Sequence, residues 1–189
     1  MEQFFLVVVP EDQVKSKALE IRNKINRRFQ IYGGFKPALH TTVEVIKPQN
    51  SEDLSKAKAI IKQISKQFRP FTLEVTGFNF FPPPFKAITL AINKNNEIEI
   101  LSSLIYEALA EKGMIGREDL RSWKFHITVA SPFGAVREWS VEEFDLACEM
   151  IKDEPVCEKC IIDRLELWRP IFDPQKMCEA TFPLKKSLG

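Results

Sequence analysis

The chain contains no long hydrophobic run and no excess of charge of either sign. Its first apolar segment, Phe4–Val9, follows Glu2 and ends at Pro10. Such a segment is too short for an export signal or a membrane-spanning helix, so we expect a cytoplasmic protein without a membrane partner. The 27 basic and 26 acidic residues give a formal net charge of +1. A nearly neutral chain has no general attraction to nucleic acid, so any site for a polyanion must be local.

Cysteine is also scarce, and all four residues lie in the last quarter of the 189-residue chain: Cys148, Cys157, Cys160 and Cys178. Thiols in a cytoplasmic protein stay reduced by default. Cys157 and Cys160 have the spacing of half a zinc knuckle, but no second cysteine pair or nearby histidine completes it. We therefore predict no metal and no cofactor, although a metal or redox role for this pair stays open.

Only two histidines occur, and each begins the same motif, His40-Thr41-Thr42-Val43 and His126-Ile127-Thr128-Val129. Alternate residues of a strand share a face, so each histidine is predicted to lie beside the threonine two positions later. With 7 Thr and 10 Ser in the chain, both histidines would have such a hydroxyl by accident in about 1% of chains. Either histidine alone could be a strand residue bonded by its threonine, but the repetition favours a paired site.

The predicted elements have a regular order in the first half of the chain. Apolar periodicity predicts a strand at Phe4–Val9, a helix at Pro10–Gln30 and a strand at His40–Ile46. A second helix begins with Ser51 as its N-cap, and alternating residues from Phe71 predict another strand. The first half therefore reads as a β-α-β-α-β unit.

The same order follows Pro82-Pro83-Pro84. A strand at Ala87–Ile92, a helix at Glu97–Lys112 and a strand at Phe125–Ala130 precede a helix with a capping box at Ser140. A shift of 86 residues superposes His40 on His126, and with them the elements of the two halves.

A final hairpin of Ile161–Trp168 and Met177–Leu184 completes the second half. The repeated order predicts an α+β fold in one two-lobed domain over residues 1–189, with approximate repeat halves 1–83 and 84–189. A pseudo-twofold axis between the halves would place the two motif strands across a shared cleft.

Two facing imidazoles suit the hydrolysis of a phosphodiester. One can deprotonate an attacking water while the other protonates the departing oxygen, because imidazole titrates near neutral pH. Thr42 and Thr128 would donate hydrogen bonds to the non-bridging oxygens. No metal is needed, and two histidines without a carboxylate cluster make an incomplete site for catalytic zinc. His40, Thr42, His126 and Thr128 are therefore the predicted catalytic residues.

With these paired His-x-Thr motifs in two similar halves, the chain resembles the 2H (two-histidine) phosphoesterase superfamily, which includes 2′-5′ RNA ligase-like proteins and cyclic phosphodiesterases. The resemblance implies a bilobal fold in which two antiparallel sheets line a central cleft, with helices outside. It also implies metal-independent hydrolysis of 2′,3′-cyclic phosphates or 2′-5′ linkages in an RNA end or a small nucleotide. Leu39 and Phe125 stand where many members have proline, which indicates a divergent branch.

Other side chains near the motifs are candidates for binding or positioning. Lys36 and Lys124 could attract a phosphate. Three aromatic residues could stack a base, namely Phe133, Tyr32 and Trp168. Glu44 is expected to share the face of His40 and Thr42, where it could orient the first imidazole.

Three functions fit these residues. The first is a monomeric phosphodiesterase. The second is a module that binds a phosphorylated RNA end or nucleotide without turnover, although Arg or Lys would serve binding alone. The third is a metal site shared by the histidines and cysteines, which would require the fold to bring distant segments together.

Overall fold

The computed structural model describes residues 2–93, 96–117, 123–171 and 173–185. None of the helices in these ranges is long and apolar enough to cross a membrane. The elements in chain order are β1 (Phe4–Val8), α1 (Asp12–Phe29), β2 (Thr41–Ile46), α2 (Ser51–Ser65), β3 (Phe71–Phe81), β4 (Ala87–Ile92), α3 (Asn96–Ala110), β5 (His126–Ala130), α4 (Val141–Ile151), β6 (Cys157–Ile162), β7 (Arg164–Trp168), α5 (Pro174–Met177) and β8 (Cys178–Pro183).

The strands form two four-stranded sheets, in the orders β2-β1-β7-β8 and β5-β4-β3-β6. Every pairing is antiparallel, so the predicted α+β fold with two antiparallel sheets is confirmed. The motif strands β2 and β5 each lie at a sheet edge, and they contact one another. The two edges therefore meet at the centre of the molecule.

The sheets exchange strands between the two halves of the chain. β3 belongs to the first half but pairs with β4, whereas β7 and β8 return from the second half to extend the sheet of β1. Neither sheet therefore coincides with residues 1–83 or 84–189. The division into repeat halves stays a prediction about sequence order.

Helices cover both sheets. α1 packs on β5 and β6 and contacts α4, while α2 packs on β8, α3 packs on β2, and α2 contacts α3. α1 turns one apolar stripe inward, as its periodicity predicts: Val14, Ala18, Ile21, Ile25 and Phe29.

Two predicted boundaries are wrong, while the capping box is confirmed. The N-cap of α2 is Asn50, whose Oδ1 accepts a hydrogen bond from the backbone N–H of Asp53 at 2.9 Å. The predicted strand at Ile161–Trp168 is divided at Asp163, because β6 pairs with β3 while β7 pairs with β1 and β8. At the start of α4, Ser140 and Glu143 bond to each other's backbone N–H groups.

Each motif strand contains a β-bulge directly after its motif threonine. Thr42 and Glu44 lie opposite consecutive residues of β1, so Val43 is the extra residue. The same irregularity in the pairing of β5 with β4 makes Val129 extra, 86 positions later. Both motif strands therefore carry the same distortion at equivalent positions.

The first bulge turns Glu44 away from the cleft. An extra residue reverses the alternation of side chains, so Glu44 lies on the face opposite to Thr42. The prediction that Glu44 shares the face of His40 and Thr42 is therefore wrong. Glu44 is fully buried and forms an ion pair with Arg117, 2.8 Å from Oε2 to the guanidinium.

This buried pair belongs to a network that holds the outer edge of β2. Arg117 also donates to Ser102 Oγ at 2.9 Å, and that hydroxyl donates to the carbonyl of Val43 at 3.1 Å. Trp123 Nε1 donates to the carbonyl of Thr42 at 3.1 Å, and its ring lies 4.9 Å from the guanidinium of Arg117. The carbonyls of Thr42 and Val43 at the bulge therefore accept hydrogen bonds from side chains.

Replacing Arg117 with methionine should destabilise the fold, because Glu44 would lose its buried partner. Breaking a buried ion pair costs about 3–5 kcal/mol, and we expect a loss of that order in the free energy of unfolding in urea. Burial already raises the pKa of Glu44, and without Arg117 the folded state would hold its proton more tightly than the unfolded state. The free energy of unfolding should therefore fall as pH rises from the unfolded to the folded carboxyl pKa.

The matched control is Lys56→Met, which removes an exposed ion pair with Glu52. This variant should unfold like the unmodified protein. Equal losses in the two variants, or a loss in Arg117→Met that does not change with pH, would contradict the role given to the buried pair.

Candidate active site

A cleft of about 380 Å³ opens where β2 and β5 meet. Its lining includes all four predicted catalytic side chains, His40, Thr42, His126 and Thr128. The volume lies within the range of small-molecule sites. Residues 86 positions apart in the sequence are therefore neighbours around one shared space.

The two histidines are oriented by identical hydrogen bonds. His40 Nδ1 lies 2.9 Å from the carbonyl of Ala38, and His126 Nδ1 lies 2.7 Å from the carbonyl of Lys124. A carbonyl can only accept, so each Nδ1 carries a proton and each neutral ring leaves Nε2 as its acceptor. Both imidazoles therefore present the same nitrogen for proton transfer.

Burial lowers the pKa of both imidazoles. Burial is the main cause that holds the pKa of His40 below the ordinary 6.5. The bond to Ala38 raises this pKa, whereas the positive charges of His126 and Arg22 lower it further. Burial likewise lowers the pKa of His126, against the bond to Lys124. The influence of His126 on His40 agrees with their position in one cleft.

An aromatic ring packs against each histidine. The Trp168 ring meets the His40 ring edge-on at 5.0 Å between centroids, and its Nε1 donates to Glu166 Oε2 at 2.8 Å. The Phe81 ring lies 5.4 Å from the ring of His126. These contacts restrict the rotation of both imidazoles.

Four of the five predicted substrate-binding residues line the cleft. Lys36 lines it, and its Nζ donates a hydrogen bond to Asn23 Oδ1 at 2.8 Å. Phe133 lines it with 65% of its surface exposed. Tyr32 and Trp168 line it as well, but each is only 5% exposed. The hydroxyl of Tyr32 bonds to both backbone groups of Ser131, at 2.9 and 3.0 Å. Tyr32 and Trp168 are therefore part of the cleft walls, and neither has an open ring face on which a base could stack.

Lys124 is the predicted residue that the structure does not bring into the cleft. Its side chain is exposed and lies outside the lining. Its backbone carbonyl instead orients His126. Lys124 precedes β5, which begins at His126, so the alternation of strand side chains does not place it on the face of His126.

Arg22 lines the cleft, although no motif in the sequence includes it. Its Nε donates to the carbonyl of Val129 at 2.8 Å, its Nη1 to that of Pro37 at 2.6 Å and its Nη2 to that of Thr128 at 3.0 Å. One sequence signal could have revealed it. Arg22 stands four residues after Ala18 and three before Ile25, on the apolar stripe of α1, where a charged residue is unexpected.

The cysteines lie apart from this cleft. Cys157 and Cys160 stand three positions apart on β6, so their side chains point to opposite faces, the first exposed and the second buried. Within the described ranges, no group of three or more His, Cys, Asp or Glu side chains could hold a metal ion. The half zinc knuckle therefore has no geometry for shared coordination.

Comparison with known proteins identifies the family. The family model of the 2′-5′ RNA ligase superfamily matches residues 10–171, which include both motifs. No curated protein sequence matches the chain significantly.

Solved structures share the fold over nearly the whole chain. TT0787 of Thermus thermophilus has a TM-score of 0.69 at 18% identity, covering 98% of this chain and 99% of that one. E. coli LigT complexed with 3′-AMP gives 0.58 at 14% identity, with 97% and 98% covered. Kluyveromyces marxianus Usb1 gives 0.54 at 14% identity with the same coverage. The family match, with this common fold, shows that the chain belongs to the 2′-5′ RNA ligase superfamily of two-histidine phosphoesterases.

Proposed function

We propose that the protein is a metal-independent phosphodiesterase that hydrolyses 2′,3′-cyclic phosphate or 2′-5′ phosphodiester bonds in an RNA end or a small nucleotide. One observation carries the proposal: two imidazoles line one cleft, and a backbone carbonyl occupies Nδ1 of each. Both Nε2 atoms are then available for a phosphodiester between them.

The proposed reaction uses one imidazole as base and the other as acid. Nε2 of the neutral ring takes a proton from water as the water oxygen attacks phosphorus. Nε2–H of the protonated ring gives its proton to the ester oxygen as the P–O bond breaks. Thr42 and Thr128 would donate to the non-bridging oxygens, where negative charge must be held in the transition state.

The remaining lining suits a nucleotide. Phe133 is exposed enough to stack a base, and Lys36 adds a positive charge beside the phosphate. Structures of E. coli LigT have been solved with 3′-AMP, ATP and NADP+. That this relative holds such molecules supports a nucleotide as the guest of the cleft here.

The proposal predicts turnover that resists a chelator and depends on both histidines. His40→Ala and His126→Ala should each lower kcat/KM on a 2′,3′-cyclic nucleotide or a 2′-5′ dinucleotide by about 100-fold or more, because each removes a positioned acid or base. Product formation with EDTA present is the measurement. Lys159→Ala, which changes an exposed residue of β6, is the matched control and should retain full activity.

Three results would refute this prediction in different ways. Binding without turnover in the unmodified protein would favour a non-catalytic binding module. Loss of activity with EDTA would favour a metal. Full activity in either histidine variant would remove the acid–base pair.

The pH dependence of kcat/KM should be bell-shaped, with its maximum below pH 6.5. The rate falls on the acid side as the base gains a proton and on the alkaline side as the acid loses one. Both histidine pKa values lie below the ordinary 6.5, so both limbs move to lower pH. An aryl phosphodiester, whose leaving group needs no proton, should lose the alkaline limb. A rate that rises to a plateau above neutral pH with both substrates would contradict the assignment.

A further inference from the structure

Arg22 is a buried cation without an acidic partner in the part of the chain that the structure describes. Only 3% of it is exposed, and none of the ion pairs there includes it. Its three bonds go to carbonyls and its guanidinium lies 5.8 Å from the centre of the Tyr32 ring, and neither kind of contact supplies a carboxylate to balance the charge. Burying a charge is costly unless an opposite charge compensates it. A second buried arginine, Arg117, has that compensation in Glu44.

Capping the backbone does not explain the charge. The carbonyls of Thr42 and Val43 in β2 are equivalent to those of Thr128 and Val129 in β5, since each pair lies at its motif bulge. In β2 these carbonyls accept from Trp123 Nε1 and Ser102 Oγ, which are uncharged. In β5 Arg22 bonds both. Neutral donors serve the same structural purpose, so the charge of Arg22 exceeds what the backbone requires.

The position of Arg22 suggests a use for this charge. It lines the same cleft as His40 and His126. A guanidinium also has more N–H donors than three carbonyls occupy, so donors remain on Nη1 and Nη2. Planar guanidinium groups are suited to phosphate oxygens. The bonds to Pro37 and Thr128 also join the approach to the first motif with the second motif strand.

We propose that Arg22 is the anion-binding residue of the cleft: it contacts a non-bridging oxygen of the bound phosphate group while holding the two motif segments at their separation. The inference rests on the proposed function only in that the phosphate belongs to the substrate. Substrate charge would then compensate the buried guanidinium, and the site would prefer a phosphodiester to a neutral ester.

The test measures binding of inorganic phosphate, which needs no turnover. With only two histidines in the chain, their ring C–H signals in NMR report the occupied cleft directly. Arg22→Met should weaken phosphate binding at least tenfold, because both the charge and the donors are lost. Arg22→Lys keeps the charge but cannot reach three carbonyls and a phosphate, so it should bind at least threefold more weakly than the unmodified protein and more tightly than Arg22→Met.

A second readout separates charge from structural support. Burial is the main cause of the lowered pKa of His40, and the charge of Arg22 lowers it further, so this pKa should rise in Arg22→Met and stay low in Arg22→Lys. The other charged groups near His40 in the cleft and behind Trp168 are the same in all variants: Lys36, His126, Glu166 and Arg169. A variant that merely loosened the fold would shift both histidines in the same way.

The matched control is Arg137→Met. Arg137 also donates to backbone carbonyls, but it pairs with Glu143 and lies outside the cleft. It should bind phosphate as the unmodified protein does. If Arg22→Met does not unfold cooperatively, Arg22→Lys decides the test: it should bind phosphate at least threefold more weakly than the unmodified protein.

Three outcomes would overturn the assignment: less than tenfold weakening in a folded Arg22→Met, an equal loss in Arg137→Met, or no phosphate binding by the unmodified protein. The proposed function can fail separately. Arg22-dependent phosphate binding without diester hydrolysis would leave the role of Arg22 standing and remove the enzyme. Diester hydrolysis together with phosphate binding that does not depend on Arg22 would support the enzyme and remove the role of Arg22.

Discussion

The site depends on one hydrogen bond, made twice. In each motif the imidazole Nδ1–H is bonded to the carbonyl of the residue two positions earlier, Ala38 or Lys124. This bond selects the tautomer and directs Nε2 away from the backbone. Trp168 and Phe81 then pack against the two rings. A free imidazole would divide its time among tautomers and rotamers, whereas these two present the same nitrogen to one cleft.

The sheets bring the two rings together because both motif strands are edge strands. An edge normally leaves carbonyls and N–H groups unpaired, and the bulges at Val43 and Val129 interrupt pairing on the inner side too. Side chains from outside the two strands donate hydrogen bonds to these carbonyls, and the donors differ between β2 and β5. A network with an internal ion pair bonds those of β2, while Arg22 bonds the equivalent carbonyls of β5. Two similar motifs therefore lie in unequal electrostatic surroundings.

Local patterns predicted the parts of this molecule that depend on neighbours in sequence. The order of elements from β1 to α4, the capping box at Ser140 and the four motif side chains follow from periodicity and spacing. The exchange of strands between sheets was not predictable, because strand pairing is a long-range choice. A one-residue bulge was enough to reverse the predicted face of Glu44. Arg22 was missed because two of its three carbonyl partners lie 106 and 107 positions away, and backbone carbonyls leave no residue pattern in a sequence.

The proposed chemistry requires that both Nε2 atoms face one phosphate-sized space. The most direct measurement is the ¹⁵N NMR spectrum of the two imidazoles during titration with a 2′,3′-cyclic nucleotide that turns over slowly at low temperature. Above the histidine pKa values, we expect a protonated Nδ1 in both rings, and a change at both Nε2 signals that saturates at one equivalent of ligand. A response from only one ring, or a protonated Nε2 in either free ring, would contradict this chemistry.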